Sequence, residues 1–154
     1  MRILVMSDSH GSGRSVEQAI EAQPEAQHVI FLGDGENDIE NASYIYPDRV
    51  FHIVCGNCDF CSNKPLHQLI TIADKRIFIC HGHTYGVKST YENAIKAALL
   101  ENADILLFGH THNAYTEYRD GLYIMNPGSL SRASTSSYGF IDITPSGIMP
   151  VIVR

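Results

Sequence analysis

Ile3-Leu4-Val5-Met6-Ser7-Asp8-Ser9-His10-Gly11-Ser12-Gly13 is the stretch from which the organisation of the chain can be read. Four apolar residues halt at a serine and an aspartate, and a glycine-rich turn follows. Beyond it Val16, Ala19, Ile20 and Gln23 keep helical spacing until Pro24. A buried strand, a polar turn and an amphipathic helix in that order make the first half of a βαβ unit. The pattern then repeats. Residues 28–32 form a second apolar run closed by Gly33, Ile39, Ala42 and Ile45 space a short helix before Pro47, and residues 50–54 form a third strand. This is the rhythm of a parallel sheet. In such sheets ligands bind in the crevice at the carboxyl ends of the strands, where Asp8, His10 and Asp34 stand.

Downstream the pattern changes. Residues 69–73 and 76–80 flank Asp74-Lys75 and read as a hairpin. Ser89 and Glu92 match a capping box, and Tyr91, Ala94, Ile95, Ala98 and Leu99 make one apolar helix face. Residues 105–108 are a short buried strand ending at Gly109. From Tyr115 onward, strands at 115–118, 122–125, 138–143 and 148–153 alternate with tight turns, of which Asp120-Gly121 is a strong hairpin signal. The expected architecture is α/β, one domain over residues 1–154. Two mixed β-sheets pack face to face and are flanked by helices, an αββα sandwich.

Composition narrows the function. A chain of 154 residues, 44% hydrophobic and 18% charged, can bury a core as one domain. Its net charge of −6 argues against the broad basic footprint that a nucleic-acid polymer requires. No apolar run approaches the length of a membrane span, and residues 3–6 are too few for a signal-peptide core. No membrane partner is expected, and the expected location is cytoplasmic, where the four cysteines stay reduced. The apolar carboxy-terminal strands permit a homodimer without requiring one.

Five short segments carry metal-grade side chains: Asp8-Ser9-His10, Gly33-Asp34, Gly56-Asn57-Cys58-Asp59, His81-Gly82-His83 and Gly109-His110-Thr111-His112. Four of them follow an apolar, β-prone run. Strand alternation would put Asp8 and His10 on one face, where both can ligate one ion. Two imidazoles at the spacing of His110 and His112, in a turn, serve packing poorly. Any one segment alone reads more readily as a surface turn. Their joint occurrence at strand ends reverses that balance, because together they hold enough oxygen and imidazole ligands for two divalent cations. Two close metals usually mean hydrolysis of a phosphate ester.

These blocks resemble the five signature motifs of the calcineurin-like metallophosphoesterases. The compact size, with no inserted cap, is similar to that superfamily's small phosphodiesterase branch in bacteria and archaea. Asn126-Pro127-Gly128-Ser129 resembles a further turn of that branch. The resemblance implies one metal held by Asp8, His10 and His112, a second held by Asn57, His81 and His110, and Asp34 bridging both. Nitrogen and oxygen ligands without thiolate suit manganese, iron, zinc, cobalt or nickel. The implied activity is hydrolysis of a small phosphodiester by a dimetal-bound hydroxide, with Asn57, Cys58, Asp59 and His83 as candidate catalytic residues. Two alternatives stay open: a phosphomonoesterase on the same metals, and a non-catalytic scaffold of the same fold, as in the small retromer subunit. That subunit has lost ligand positions, whereas every position is filled here.

One position departs from the family pattern. The commonest fourth block has histidine between the asparagine and the aspartate, placed to protonate the leaving group, and this chain has Cys58. A thiol with an unperturbed pKa of about 8.5 can donate a proton but reaches less far than an imidazole. His83 reads as support for the ligands. Cys55, Cys58 and Cys61 also form a C-x₂-C-x₂-C run, but an iron–sulfur run needs a fourth cysteine where this chain continues Ser62-Asn63-Lys64-Pro65. Cys55 and Cys80 read as core residues at strand ends. His28, His52 and His67 lie outside the blocks and suit packing or surface roles. Arg14 and Arg132 follow motif-bearing turns, where reaching a substrate phosphate and plain solvation are both open.

Overall fold

The computed structural model describes residues 1–131 and 135–154, so the expectation on Arg132 lies outside the described residues. β1 (Arg2–Met6), α1 (Gly13–Glu21), β2 (Ala26–Phe31), α2 (Glu36–Ile45) and β3 (Val50–Ile53) alternate as the sequence rhythm predicts. β1, β2 and β3 pair in parallel. A second sheet is built from β4 (His67–Ile72), β5 (Lys75–Cys80), β6 (Ile105–Phe108), β7 (Tyr115–Arg119) and β8 (Leu122–Asn126) in the order β4-β5-β6-β8-β7. The chain then returns to the first sheet through β9 (Tyr138–Thr144), antiparallel to β1, and β10 (Gly147–Val153), giving the order β10-β9-β1-β2-β3. Both sheets are therefore mixed.

The core explains why these runs are apolar throughout. Ile3 and Val5 of β1 face the second sheet and meet Ile30, Leu32, Ile77, Ile79, Ile105 and Leu107. The intervening Leu4 and Met6 point the other way, with Val29 and Phe31, onto Val16, Ala19 and Ile20 of α1 and Ile39 and Ala42 of α2. On the far side Phe78, Cys80, Leu106 and Phe108 cover α3 (Glu92–Leu100) through Ala94, Ile95 and Ala98. Strands buried on both faces need continuous hydrophobic runs rather than alternation. Each fully buried Leu or Ile contributes about 1.5–3 kcal/mol. The two sheets thus face each other with helices outside, as expected.

Two local expectations are corrected. The first hairpin turns at Ala73-Asp74, not Asp74-Lys75: both residues have left-handed φ (49° and 60°), and Lys75 pairs with Ile72. A two-residue turn with both φ positive has the twist that matches its flanking strands. The capping box does not form. Ser89 N–H donates to Gly86 O at 2.9 Å, closing a turn after the 3-10 segment His83–Tyr85, and Tyr91 becomes the residue before the helix. Thr90 Oγ1 instead accepts from Glu92 N–H at 3.3 Å. Among the described residues no helix is long and apolar enough to cross a membrane.

Candidate metal centre

The parallel register carries on past the strands and lays the first two loops side by side. Leu32 N–H donates to Met6 O at 2.9 Å, Asp8 N–H to Gly33 O at 2.9 Å and His10 N–H to Asp34 O at 3.1 Å. β1 has already ended at Met6, so strand alternation is not what brings Asp8 and His10 together. Left-handed backbone does it. Asp8, His10, Asp34, His110 and His112 all have φ between 45° and 67°, which makes five of the seven candidate ligands left-handed. Asp and His visit this region more readily than most side chains, yet each such residue costs about 1 kcal/mol or more, and strain of this kind concentrates at functional sites.

Asp8 anchors one cluster. Its buried carboxylate accepts Ser7 Oγ–H at 2.5 Å and His110 N–H at 3.0 Å, both on Oδ2. Oδ1 is left without an aligned hydrogen bond among the described residues. It faces His112 Nε2 at 3.0 Å and His10 Nε2 at 3.6 Å, and those two nitrogens are 3.3 Å apart. A buried anionic oxygen turned toward two imidazole nitrogens, with no hydrogen bond of its own, is the donor set of a cation site.

His81 anchors the other. It is fully buried, and its Nδ1–H donates to Leu32 O at 2.7 Å. A carbonyl can only accept, so this bond fixes the tautomer and leaves the Nε2 lone pair free. Nε2 faces Asn57 Oδ1 at 3.1 Å, His110 Nδ1 at 3.1 Å and Asp34 Oδ2 at 3.4 Å. Asp34 Oδ2 also lies 3.8 Å from His10 Nε2, so one oxygen stands between the two clusters, while Oδ1 accepts Cys58 N–H at 2.8 Å. His81 Nε2, Asn57 Oδ1 and Asp34 Oδ2 turn lone pairs toward one another, and positive charge between them, a metal ion or a proton, relieves that arrangement.

The electrostatics agree. Burial pushes the Asp34 carboxyl up, but the neighbouring His81 ring and the Cys58 N–H outweigh it and hold the group well below the usual carboxylate range, so positive charge is favoured at this spot whether a proton or a metal ion supplies it. His81 moves the opposite way: burial lowers it, and the Asp34 and Asp8 carboxylates more than reverse that. Ligand atoms within 4.8 Å of one another gather into three groups: Asp8, His10 and His112; Asp34, His81 and His110; and His10, Asp34 and Cys58.

Several residues hold this arrangement without joining it. Asp59 accepts four backbone N–H groups, from Asp34 (2.8 Å), Gly35 (2.9 Å), Glu36 (2.9 Å) and Gly56 (2.7 Å). Burial alone would raise its pKa; those bonds lower it instead. Two backbone donors on each oxygen make this carboxylate an anchor for the loop; the sequence had marked Asp59 as a candidate catalytic residue. Gly56 and Gly109 are glycines because a Cβ would come within 2.0 Å of Asp34 Oδ1 and of Ser7 Oγ, respectively. Asn126 Nδ2 donates to Gly109 O at 2.8 Å and Ser129 Oγ–H to Asp8 O at 2.8 Å, tying two ligand loops to one turn. Ser7, Asp38 (accepting Ser9 Oγ–H at 2.5 Å and Gly11 N–H at 2.9 Å) and the bonding of Asp59 were not foreseen. The serines on either side of Asp8 were the only signal.

The remaining candidates separate clearly. The His83 ring stands 5.3 Å from His81 and 6.1 Å from His110, beside the ligands but outside the three groups. Cys58 stays a thiol, because burial and the nearby Asp34, Asp59 and Asp8 carboxylates raise its pKa. All four cysteines are free, and no group joins three of them among the described residues. Cys80 is buried as expected, and burial pushes its thiol up to about 12, whereas Cys55 is only half-buried. His28 and His52 stack on each other at 5.4 Å, and His67 stacks on Phe78 at 5.4 Å, away from the ligand groups. Arg14 is exposed at the start of α1.

The family model described as the calcineurin-like phosphoesterase superfamily domain matches residues 1–145. The chain belongs to that superfamily. Among its metallophosphoesterase relatives, the probable metallophosphoesterase YsnB of Bacillus subtilis (strain 168) is 33% identical over 130 residues, covering 84% of this chain and 75% of that one. Phosphodiesterase YfcE of Escherichia coli (strain K12) is 31% identical over 169 residues, covering 92% and 88%. A solved structure of a conserved protein from Streptococcus pneumoniae TIGR4 superposes with a TM-score of 0.78 at 24% identity, covering 99% of this chain and 97% of that one. That superposition speaks for the shared fold. The metallophosphoesterase fold and the family-level assignment to phosphoester chemistry therefore stand together with a set of metal-grade residues at the strand ends.

Proposed function

We propose that the protein is a dinuclear metal-dependent phosphodiesterase acting on a small phosphodiester. The observation that carries the reading is Asp34 Oδ2, 3.4 Å from His81 Nε2 and 3.8 Å from His10 Nε2, a carboxylate oxygen that lies beside both ligand clusters. Asp8, His10 and His112 would hold one ion, and Asn57, His81 and His110 the other. Bound there, two divalent transition-metal ions, manganese among them, would supply the Lewis acidity and the activated water that phosphoester hydrolysis needs. Asp34 would be shared between the two ions. Asn57 would contribute a neutral amide oxygen and so limit the negative charge around them. The Leu32 carbonyl keeps the His81 lone pair aimed inward.

Preference for a diester over a monoester rests on the side of the cleft where Cys58 lies. That cavity, about 560 Å³, is lined by His10, Asp34, Glu36, Asp38, Cys58 and Asp59 among others. A protonated thiol adds no positive charge to a wall of carboxylates, so a monoester dianion is disfavoured there relative to a diester monoanion.

The test is metal removal and return. Chelation should abolish hydrolysis of bis(4-nitrophenyl) phosphate, restoring manganese should recover it, and elemental analysis should give two ions per chain. Saturation at one ion or none under non-chelating conditions would sink the dinuclear reading.

A further inference from the structure

A second cavity, about 640 Å³, opens on the opposite flank of the ligand loops. Its near end is made by Thr111, between the ligand histidines His110 and His112, and by Lys88, which follows Val87, whose N–H donates at 3.4 Å to the carbonyl of Gly82 between His81 and His83. Its floor holds Tyr91 and Tyr115, ring centroids 5.0 Å apart. Its far end is electrically closed: Glu92 accepts Arg119 Nη1–H at 2.9 Å, and Glu117 accepts Tyr115 Oη–H at 2.7 Å and lies 3.6 Å from Arg119. Lys88 is exposed and takes part in no ion pair among the described residues. The charge is thus graded along the cavity, positive and unpaired beside the metal ligands and neutralised further out. The flank on the Cys58 side carries Glu36, Asp38 and Asp59 and has the opposite sign.

We infer that this cavity seats one arm of an asymmetric phosphodiester, an arm bearing a second anionic group, carboxylate or phosphate, close to the scissile phosphorus. Lys88 is the specificity-determining residue for that anion. The remainder of the arm is polar, to suit Ser89, Thr90 and Asn113 along the wall. The other arm is left to the acidic flank, where Phe60 is 87% exposed and a second anion would be repelled. This inference rests on the phosphodiesterase reading and adds an orientation and a substrate class to it.

The test compares two esters with the same leaving group in the manganese-loaded enzyme: 4-nitrophenyl 2-carboxyethyl phosphate and its methyl ester. The ratio of their kcat/KM values is the readout, because any effect of Lys88 on the metal ligands themselves cancels in it. The carboxylate ester should be favoured by about three- to fivefold, the scale of one exposed charge pair, and raising the salt concentration should erode the ratio. Lys88→Met should bring the ratio to one or below, and Lys88→Arg should keep it. Hydrolysis of both esters with a ratio unchanged by Lys88→Met would overturn the inference and leave the phosphodiesterase reading standing. Turnover of neither ester would overturn both.

Discussion

His81 and His112 are both imidazoles aimed at a carboxylate, yet they are supported in opposite ways. His81 follows directly on β5, is fully buried, and has its ring orientation fixed by a carbonyl of the neighbouring sheet. His112 sits in a left-handed loop with 46% of its side chain exposed, opposite His10 at 32%. One cluster is made by the fold, the other by backbone turns at its rim. The fold-made cluster should keep its geometry when the metals are removed, because its ligands have protein partners of their own. The rim cluster should depend on the metals for order. Asp34 belongs to both, and each variant below loads the two clusters differently.

The largest effect is expected at the shared oxygen. Asp34→Asn removes the charge common to both clusters and should lower kcat/KM for bis(4-nitrophenyl) phosphate by at least about 10²-fold, the loss typical when one preorganised electrostatic partner is removed. Circular dichroism should be unchanged. His28→Ala, in the stacked pair on β2 and β3, should change turnover little. Equal losses from the two variants, with both folded, would show that the ligand assignment is wrong.

Stability without metal separates the clusters most directly. In chelator, His81→Ala leaves Leu32 O without its donor and opens a cavity beside Asp34, so unfolding should become easier by about 2–4 kcal/mol. His112→Ala removes an exposed ring and should stay within about 0.5 kcal/mol of wild type. Both should weaken metal binding. If His112→Ala lowered the melting temperature of the metal-free protein as much as His81→Ala, the distinction between a fold-made and a rim cluster would fail.

A smaller effect is expected from the loop that connects them. Asp59→Asn keeps the shape but replaces one of the two acceptor oxygens by a donor, so two of the four backbone N–H groups lose their partner. Metal affinity should fall by about 10-fold, the low end for residues that orient ligands. The loss should appear in titrations of both ions, because Asp59 holds the Asp34 backbone. Loss of one ion only would mean that Asp59 supports a single cluster.

What was legible beforehand follows the same division. β1, β2, β5 and β6 are buried on both faces, and continuous apolar runs announce such strands. The fold-made ligands could be read because they stand where those runs stop. The rim was harder. Nothing in the residue types says that Asp8, His10 and His112 take left-handed φ, nor that Asp34 and His110 of the other cluster do, and alternation along β1 was the wrong reason for bringing Asp8 and His10 together. Ala73 in a left-handed turn carries no sequence signal at all, which moved the hairpin by one residue. Ser89 and Glu92 matched a capping pattern that the preceding glycine turn had already pre-empted. Asp59 looked like chemistry because its role, accepting backbone donors from a loop more than twenty residues away in sequence, is a tertiary property.

The finest test lies at Cys58, on the acidic flank between the clusters, where the side chain is grouped with His10 and Asp34. Burial and the carboxylates of Asp34, Asp59 and Asp8 raise the thiol's pKa, making it a weaker acid than a free cysteine. Leaving-group protonation by this thiol should therefore contribute little, and kcat/KM should depend steeply on leaving-group acidity, nitrophenyl diesters reacting much faster than alkyl ones. Cys58 is exposed and borders a cavity of about 560 Å³, so an imidazole has room. Cys58→His supplies a donor with an ordinary pKa near 6.5. General acid catalysis is worth about 10²–10⁴-fold when fully positioned; a donor introduced without its own supporting contacts should recover about tenfold or less of that, and only for poor leaving groups. The measurement is kcat/KM for both enzymes across diesters of graded leaving-group pKa. A flatter line for the histidine variant makes this position the proton donor's place. Parallel lines would move leaving-group protonation elsewhere, His83 being the nearest unliganded imidazole to the His81 cluster.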